Sequence, residues 1–381
     1  MRISLFSATL LLAVSGCGSP GAAVENHAAS GQAEQPSASG RPFDIAVEGR
    51  FNRPFAMAFL PDGRLLVTEK PGVLKLWAPG GKTVEVGGVP KVAVVNQGGL
   101  LDVALSPKFA QDHFVYLTYS EPRPNGSSLA MARGKLVENG GSPHLDGMRV
   151  IWRQGSDGSG GQFGAVIAFS PDGKYLFLTS GERQRKTPAQ DPDQKLGKIL
   201  RLYPDGSVPP FNPIPGQGAR AETWSTGHRN PYGLAFAADG RLWETEMGPK
   251  GGDELNMILP GRNYGWPVVS NGDNYDGSPI PDHHPGDGFE PPKLYWNPSI
   301  SPGGFMIYSG SLFPRWHGSG FIAALSGQAL IRVTLNGDKA AKADQWDMGA
   351  RIRDVAQGPQ GTVWLLEDGE NARLLKLTPA A

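Results

Sequence analysis

Between residues 55 and 366 one short pattern recurs six times: an alternating apolar strand, a tight turn, and a second strand. Residues 55–69 show it most plainly, with Pro61-Asp62-Gly63 between the strands. Residues 99–119, 164–180, 232–245 and 352–366 repeat it, and 304–325 carries a looser copy. Apolar side chains every second residue fit a strand with one face buried, and Asp-Gly or Gln-Gly supplies the positive φ of a tight hairpin. One hairpin cannot bury its apolar faces alone, so the copies are expected to stack around an axis. Residues 41–381 divided by six give about 57 residues per copy, the length of a four-stranded blade with generous loops. The fold class is therefore all-β, a six-bladed β-propeller over 41–381. Phe43 to Glu48 also alternates, and can add the outer strand of the last blade and close the ring.

Composition agrees with a turn-dense β protein. Gly (53) and Pro (34) make 87 of 381 residues, well above an average share of roughly 12%. With 39% hydrophobic residues the chain still has enough to fill a large core. Its 36 basic and 36 acidic residues cancel, which leaves no electrostatic grip on nucleic acid or on a lipid surface.

The N-terminus reads as an address. Residues 3–14 form an apolar run too short for a permanent membrane span, and it ends in Val14-Ser15-Gly16-Cys17, which resembles a bacterial lipobox. The expected organisation is a lipoprotein signal peptide over 1–17 with Cys17 lipidated, then a flexible Gly/Ala/Ser-rich linker over 18–40. Export follows, to a lipid-anchored, periplasm-facing place; Gly18, where Asp would retain the chain at the inner membrane, favours the outer membrane. Cys17 is the only cysteine, so the folded part has neither a disulfide nor a thiol nucleophile.

Two loops carry chemistry. Trp224 to Gly233 sets His228, Arg229 and Asn230 in one stretch held by Gly and Pro, which suits an anionic, carbonyl-rich ligand. Glu246 to Asn256 contains Gly248-Pro249 and Gly251-Gly252, an irregular backbone whose carbonyls, with Asp253 and Glu254, suit a hard cation such as Ca²⁺. By residue type alone each loop can equally be a decorated turn.

His228-Arg-Asn-Pro-x-Gly, then Glu-x-Gly-Pro-x-Gly-Gly-Asp-Glu-x-Asn, then Asn263-Tyr-Gly-Trp-Pro267, together resemble the soluble pyrroloquinoline-quinone (PQQ) aldose dehydrogenases, the glucose/sorbosone dehydrogenase family. Residues 96–109, Gly197-Lys-Ile-Leu-Arg201 and Arg351-Ile-Arg-Asp-Val355 match further segments, in the family's order, over nearly all of 50–378. The resemblance implies the six-bladed fold, an oxidoreductase, and oxidation of an aldose at C1 to the lactone by hydride transfer to PQQ, with Ca²⁺ and an unknown electron acceptor. Carried over residue by residue, Gly248 and Pro249 give carbonyls to the cofactor's Ca²⁺. Arg229 bridges PQQ and substrate as a catalytic residue, and Asn230, Arg351 and Arg353 contact PQQ. Gln97 binds the sugar, and Glu254 with Tyr264 holds a second Ca²⁺.

The chain departs from that pattern at the cofactor. The segment holding the family's general-base histidine reads Gly160-Gly-Gln-Phe-Gly164, so Gln162 takes the catalytic place. An amide cannot accept a proton near pH 7, and losing a positioned base costs about 10²–10⁴ in rate. Ser326 stands where a PQQ-contacting lysine is expected. Asp157 or Glu182 could replace the base. The alternatives are a member that binds PQQ or sugar without efficient turnover, and a calcium-dependent lactonase-type propeller, which explains none of the ordered motifs. Asp282 to Asp287, with adjacent histidines, is not expected to bind metal. The tryptophans are expected between blades, with Trp266 and Trp296 as candidates for the channel mouth.

Overall fold

The computed structural model describes residues 40–138 and 140–380; Cys17 and the segments read as signal peptide and linker, up to residue 39, lie outside them. Six four-stranded antiparallel sheets account for nearly all the strands. The first blade uses Pro54–Phe59, Leu65–Glu69, Val73–Trp77 and Thr83–Val86. The next four occupy 100–153, 164–226, 231–296 and 302–347 in turn. The sixth is built from Ile352–Gln357, Val363–Glu367 and Ala372–Pro379, and its fourth strand is Phe43–Phe51, paired antiparallel with Ala372–Pro379. The two ends of the ring thus share one sheet, as the alternation after residue 43 predicts.

The turns form for the reason the sequence suggests. Gly63 sits at φ 87°, its N–H donates to Leu60 O (3.0 Å), and Asp62 Oδ1 accepts the Arg64 N–H at 3.0 Å. Asp172-Gly173 and Asp239-Gly240 repeat the carboxylate-to-backbone bond at 3.0 Å each. The loose fifth copy is loose because residues 308–319, with a 3₁₀ turn at Pro314–Trp316, intervene between its first two strands. A small ribbon, Lys250–Gly251 with Gly272–Asp273, ties the 246–256 loop to the segment around residue 272 and has no counterpart in the repeat.

Neighbouring blades are joined by one recurring side chain. Thr118 Oγ1 accepts the Asp102 N–H of its own blade (2.9 Å) and donates to Ala165 O of the next (2.7 Å). Thr179 does the same between Val166 N–H (2.9 Å) and Pro231 O (3.0 Å), and Thr68 between Ala56 N–H and Leu101 O. Each hydroxyl satisfies two buried backbone groups that no ladder reaches. Thr245 holds the corresponding place in the fourth blade, but its hydroxyl is buried without a partner. Apolar packing fills the remaining space. Trp77 meets Trp364 at 5.4 Å across the first and sixth blades, and Phe313 stacks on Trp316 at 3.9 Å. Trp296 is packed in the core beside Trp243, so it is not at the channel mouth. Among the described residues no helix is long and apolar enough to cross a membrane.

These bonds predict an asymmetry. Thr118→Val strands one buried N–H and one buried C=O and is expected to cost about 2–4 kcal/mol. Thr245→Val strands nothing and should change stability by less than about 0.5 kcal/mol. Urea unfolding of both variants decides, and equal costs would show that the inter-blade bonds are not what these threonines contribute.

Candidate active site

The innermost strands enclose a channel of about 170 Å³ lined by Asp102, Val166, Leu234, Gly303 and Asp354 among others. Burial pushes the Asp102 carboxyl up to about 8 and that of Asp354 to about 7. Each nevertheless accepts a backbone N–H from the following blade, Asp102 from Ile167 (2.7 Å) and Asp354 from Met57 (2.9 Å). Phe55, Tyr232 and Arg353 belong both to this channel and to a larger cavity of about 460 Å³. That cavity also has Arg53, Lys70, Gln97, Met247, Tyr275, Arg351 and Asp368 in its wall. It lies within the range typical of small-molecule sites, about 300–1,000 Å³.

Strand pairing places the wall residues at repeating positions. Pro54 pairs with Glu69, Pro231 with Glu246, Pro302 with Ala324 and Ile352 with Glu367. The residues just before the first of each pair are therefore equivalent: Arg53, Asn230, Ser301 and Arg351. So are those just after the second: Lys70, Met247, Leu325 and Asp368. All of these but Asn230 line the cavity.

Several expected site residues meet there. Arg351 and Arg353 share Asp368, with Nε–Oδ2 and Nη2–Oδ1 distances of 2.9 Å each. Burial opposes ionisation of Asp368, yet the two guanidinia hold it below the usual carboxylate range. Gln97 Oε1 accepts the Gln162 N–H (2.6 Å) and the Tyr232 hydroxyl (3.2 Å). Gln162 is buried at φ 57°, and its side-chain carbonyl accepts the Gln184 N–H at 3.2 Å. Glu182 is spent on the Arg185 and Lys186 amides, and Asp157 on Gly158 and Asn125. Neither lines the cavity. Ser326 is exposed, bonded to Ser299 O and Ser301 Oγ.

The two motif loops are locked together by Glu246, whose importance the sequence reading missed. Its Oε2 accepts the N–H groups of Arg229 (2.5 Å) and Asn230 (3.2 Å), and its Oε1 meets His228 Nδ1 at 3.1 Å. His228 Nε2 reaches Ser225 Oγ at 2.8 Å, and its ring stacks on Tyr264 at 4.8 Å. This has the order of a hydrolytic triad, but Ser225 is fully buried, so it orients a loop and attacks nothing. Held this way, Arg229 Nη1 donates to Met247 O (2.9 Å) and Gly248 O (2.7 Å), and Nη2 to the Tyr275 hydroxyl (3.1 Å). Asn230 Oδ1 accepts the Gly164 N–H, tying the loop to the Gln162 segment. Buried Lys198 gives its three donors to Pro188, Ala189 and Leu196 carbonyls and fixes the loop that carries Gln190. Gln190 in turn bonds Asn263 and Trp266 O.

A cation fits the second loop. Gly227, Glu246, Gly248, Glu254, Tyr264 and Ser270 surround a void of about 10 Å³, room for a single atom. The Tyr264 hydroxyl is committed to Met257 O (2.6 Å) and the Leu259 N–H (2.9 Å), so only its backbone carbonyl could ligate. Burial, and the charge of Glu246, push Glu244 and Glu254 well above the ordinary carboxylate range. Asn256 Nδ2 bridges them at 3.0 and 3.1 Å, while Glu244 Oε1 and Asn256 Oδ1 have no partner. Ligand atoms of His228, Glu244 and Glu246 lie within 4.8 Å of one another. Pro249 is buried, and no hydrogen bond engages its carbonyl among the described residues. Trp266 lines this void with its ring 5.2 Å from the Arg229 guanidinium, and His283 is turned inward toward Asp287 while His284 is exposed.

The Glu246 clamp makes a measurable prediction. Glu246→Leu leaves two buried amides and an imidazole without an acceptor and is expected to lose at least about 3 kcal/mol. Glu246→Gln, which keeps a carbonyl for the amides, should lose less than half of that. A leucine variant as stable as the parent in urea would remove Glu246 from this role.

Comparison with known proteins agrees with this geometry. Residues 51–376 match the family model described as Glucose / Sorbosone dehydrogenase. The chain is 40% identical over 345 residues to the aldose sugar dehydrogenase YliI of Escherichia coli, covering 87% of this chain and 92% of that one. Quinoprotein glucose dehydrogenase B of Acinetobacter calcoaceticus is 29% identical over 250 residues, 59% of this chain and 52% of its own. The apo-form crystal structure of soluble aldose sugar dehydrogenase from E. coli superposes with a TM-score of 0.84 at 38% identity, over 89% of this chain and 100% of that one. The PQQ-bound aldose sugar dehydrogenase of Streptomyces coelicolor gives 0.74 at 32%, over 90% and 99%. With the repeat, the cavity and the ordered motifs all on one ring, this chain belongs to the glucose/sorbosone dehydrogenase family.

Proposed function

We propose that the protein is a PQQ- and calcium-dependent sugar dehydrogenase that oxidises an aldose at C1 to the lactone and passes the electrons to an external acceptor. The observation that carries this is the cationic cavity where Gln97, Arg351 and Arg353 converge, bordered by Arg229, in a chain of this family. PQQ, when bound with Ca²⁺, supplies a quinone that takes two electrons and a proton equivalent as hydride from the sugar carbon.

The chain's own groups divide the remaining work. Arg351 and Arg353, prealigned by Asp368, present planar donors suited to carboxylates. Gln97 has its side-chain carbonyl occupied twice, so its NH₂ is left to donate to a sugar oxygen. Arg229 and a cation would compete for Gly248 O, so loading the site frees the guanidinium toward the ligand. The buried carboxylates of Glu246 and Glu254 suit Ca²⁺ as hard oxygen ligands.

Gln162 favours a second reading, binding without efficient turnover. Its amide can orient a hydroxyl but cannot take its proton, and Glu182 and Asp157 are occupied elsewhere. The two readings separate cleanly. Titration of metal-stripped protein with PQQ, followed by absorbance and Trp fluorescence, is expected to show binding only when Ca²⁺ is present. Gln162→His should then raise sugar-dependent reduction of an artificial acceptor by about 10²-fold, since His tolerates a left-handed backbone better than most residues. PQQ bound without any rate gain in the variant would exclude this position as the missing base.

Export and lipid anchoring at Cys17 complete the proposal. Cys17→Ser is expected to abolish incorporation of labelled palmitate and to release the protein from the membrane fraction. Unchanged labelling would show that the anchor is not at this residue.

A further inference from the structure

We infer that Arg53 and Lys70 extend the cationic wall of the active-site cavity from the Arg351–Arg353 pair onto the neighbouring blade and take a carboxylate of a polycarboxylate ligand. The inference rests on the proposed PQQ function and names a further part of the site that would hold the cofactor.

Three independent observations converge on it. The first is position: Arg53 is the first-blade equivalent of Asn230 and Arg351, and Lys70 is the equivalent of Asp368. Both line the same 460 Å³ cavity. Neither was singled out by motif, because no short pattern marks them.

The second is the backbone. Arg53 stands at φ 51°, in the left-handed region that a long branched side chain seldom occupies. Both sides of this residue are pinned: its N–H donates to Gly369 O (2.7 Å), and its C=O accepts the Lys70 N–H (2.9 Å). Lys70 O accepts the Leu100 N–H at 3.1 Å, and a Cβ on Gly99 would stand 2.2 Å from that same oxygen. The chain approaches so closely there that only glycine fits. A strained residue pinned on both sides, beside a Lys70 whose own carbonyl is held, fixes where these two side chains leave the backbone.

The third is charge. Arg53, Lys70, Arg351 and Arg353 line the cavity against a single carboxylate, Asp368, and that carboxylate is already shared by Arg351 and Arg353. Among the described residues the Arg53 guanidinium and the Lys70 ammonium have no ion-pair or hydrogen-bond partner. Burial, with the Arg353 and Arg53 charges beside it, lowers the Lys70 ammonium to about 8. Part-buried cations without a counter-charge are costly in an empty cavity and favourable beside an anion. A ligand carrying more than one carboxylate answers both pairs of cations. A neutral sugar answers neither.

The test uses the full chain with Ca²⁺ and reads PQQ affinity, not turnover. Lys70→Met is expected to weaken binding about ten- to hundredfold, the value of one charge-assisted hydrogen bond. Arg53→Gln should weaken it comparably, and Lys70→Arg should stay within a few-fold of the parent. The affinity of Lys70→Met should also fall less steeply with added salt. Lys339→Met, on the outer strand of the fifth blade, serves as the surface control, and far-UV circular dichroism checks that each variant folds. PQQ affinity in Lys70→Met within twofold of the parent would overturn the inference. If the parent itself binds no PQQ, the functional proposal fails first. Citrate then replaces PQQ in a thermal-shift assay: stabilisation that depends on Lys70 supports the extended cationic wall, and stabilisation that is absent or independent of Lys70 overturns it.

Discussion

Everything in this molecule depends on the pairing of Phe43–Phe51 with Ala372–Pro379, which puts the first and last strands of the ring into one sheet. A ring of blades without that closure would have an exposed sheet edge and a free first blade. With it, the N-terminal ends of all six innermost strands are held around one axis. The cavity is not carved into the fold afterwards. It is the space left where equivalent loop positions of blades one, four, five and six meet, and its character is decided by which residues those positions carry. Blades one and six contribute cations, blade two contributes Gln97, and blade five contributes only Ser301 and Leu325.

The blade interfaces show how little of this relies on side-chain volume alone. Thr68, Thr118 and Thr179 each complete the hydrogen bonding of two buried backbone groups, one on either side of the interface. Asp102 and Asp354 do similar work further in, each accepting the amide of the next blade's innermost strand. Burial raises both carboxyl groups above their unfolded value, so the folded state prefers them protonated. Their contribution is therefore fullest below about pH 4, the ordinary Asp value, and declines as pH climbs through about 7 for Asp354 and about 8 for Asp102. Both side chains are partly exposed, and solvent screening reduces the size of that effect without changing its sign.

The architecture was readable in the sequence because its signals are local. Asp62-Gly63, Asp172-Gly173 and Asp239-Gly240 encode both the positive φ and the carboxylate cap of each turn within a few residues. Arg351, Arg353 and Gln97 were readable because they sit in ordered motifs, and they do share one cavity. What the sequence concealed is what depends on distance. Glu246 looks like a member of the cation loop, and only the folded chain shows its carboxylate on the amides of Arg229 and Asn230, some seventeen residues back. Trp296 looked available for stacking and is instead buried in the core cluster that also holds Trp243. Arg53 and Lys70 carry no motif, yet aligning the repeats by their strand pairs would have put them beside Asn230 and Asp368.

The same separation of scaffold and chemistry governs Gln162. Its carbonyl lies so close to Gly181 that a Cβ there would be 2.1 Å away, and its own N–H is received by Gln97. Gly164, two residues on, is held by Asn230. The backbone around Gln162 is therefore tied to the Gln97 side chain on one side and to the Asn230 loop on the other. A histidine at position 162 would leave those ties in place, because residues 162 and 164 make them through main-chain N–H groups; only the bond from Gln162 Oε1 to the Gln184 N–H belongs to the side chain. An amide, unlike an imidazole, cannot accept a proton near neutral pH. In the proposed function, ligand recognition rests on the arginines, Lys70 and the Glu246 clamp, none of which is bonded to that side chain. A chain can keep the whole binding apparatus while its rate is set at a single position.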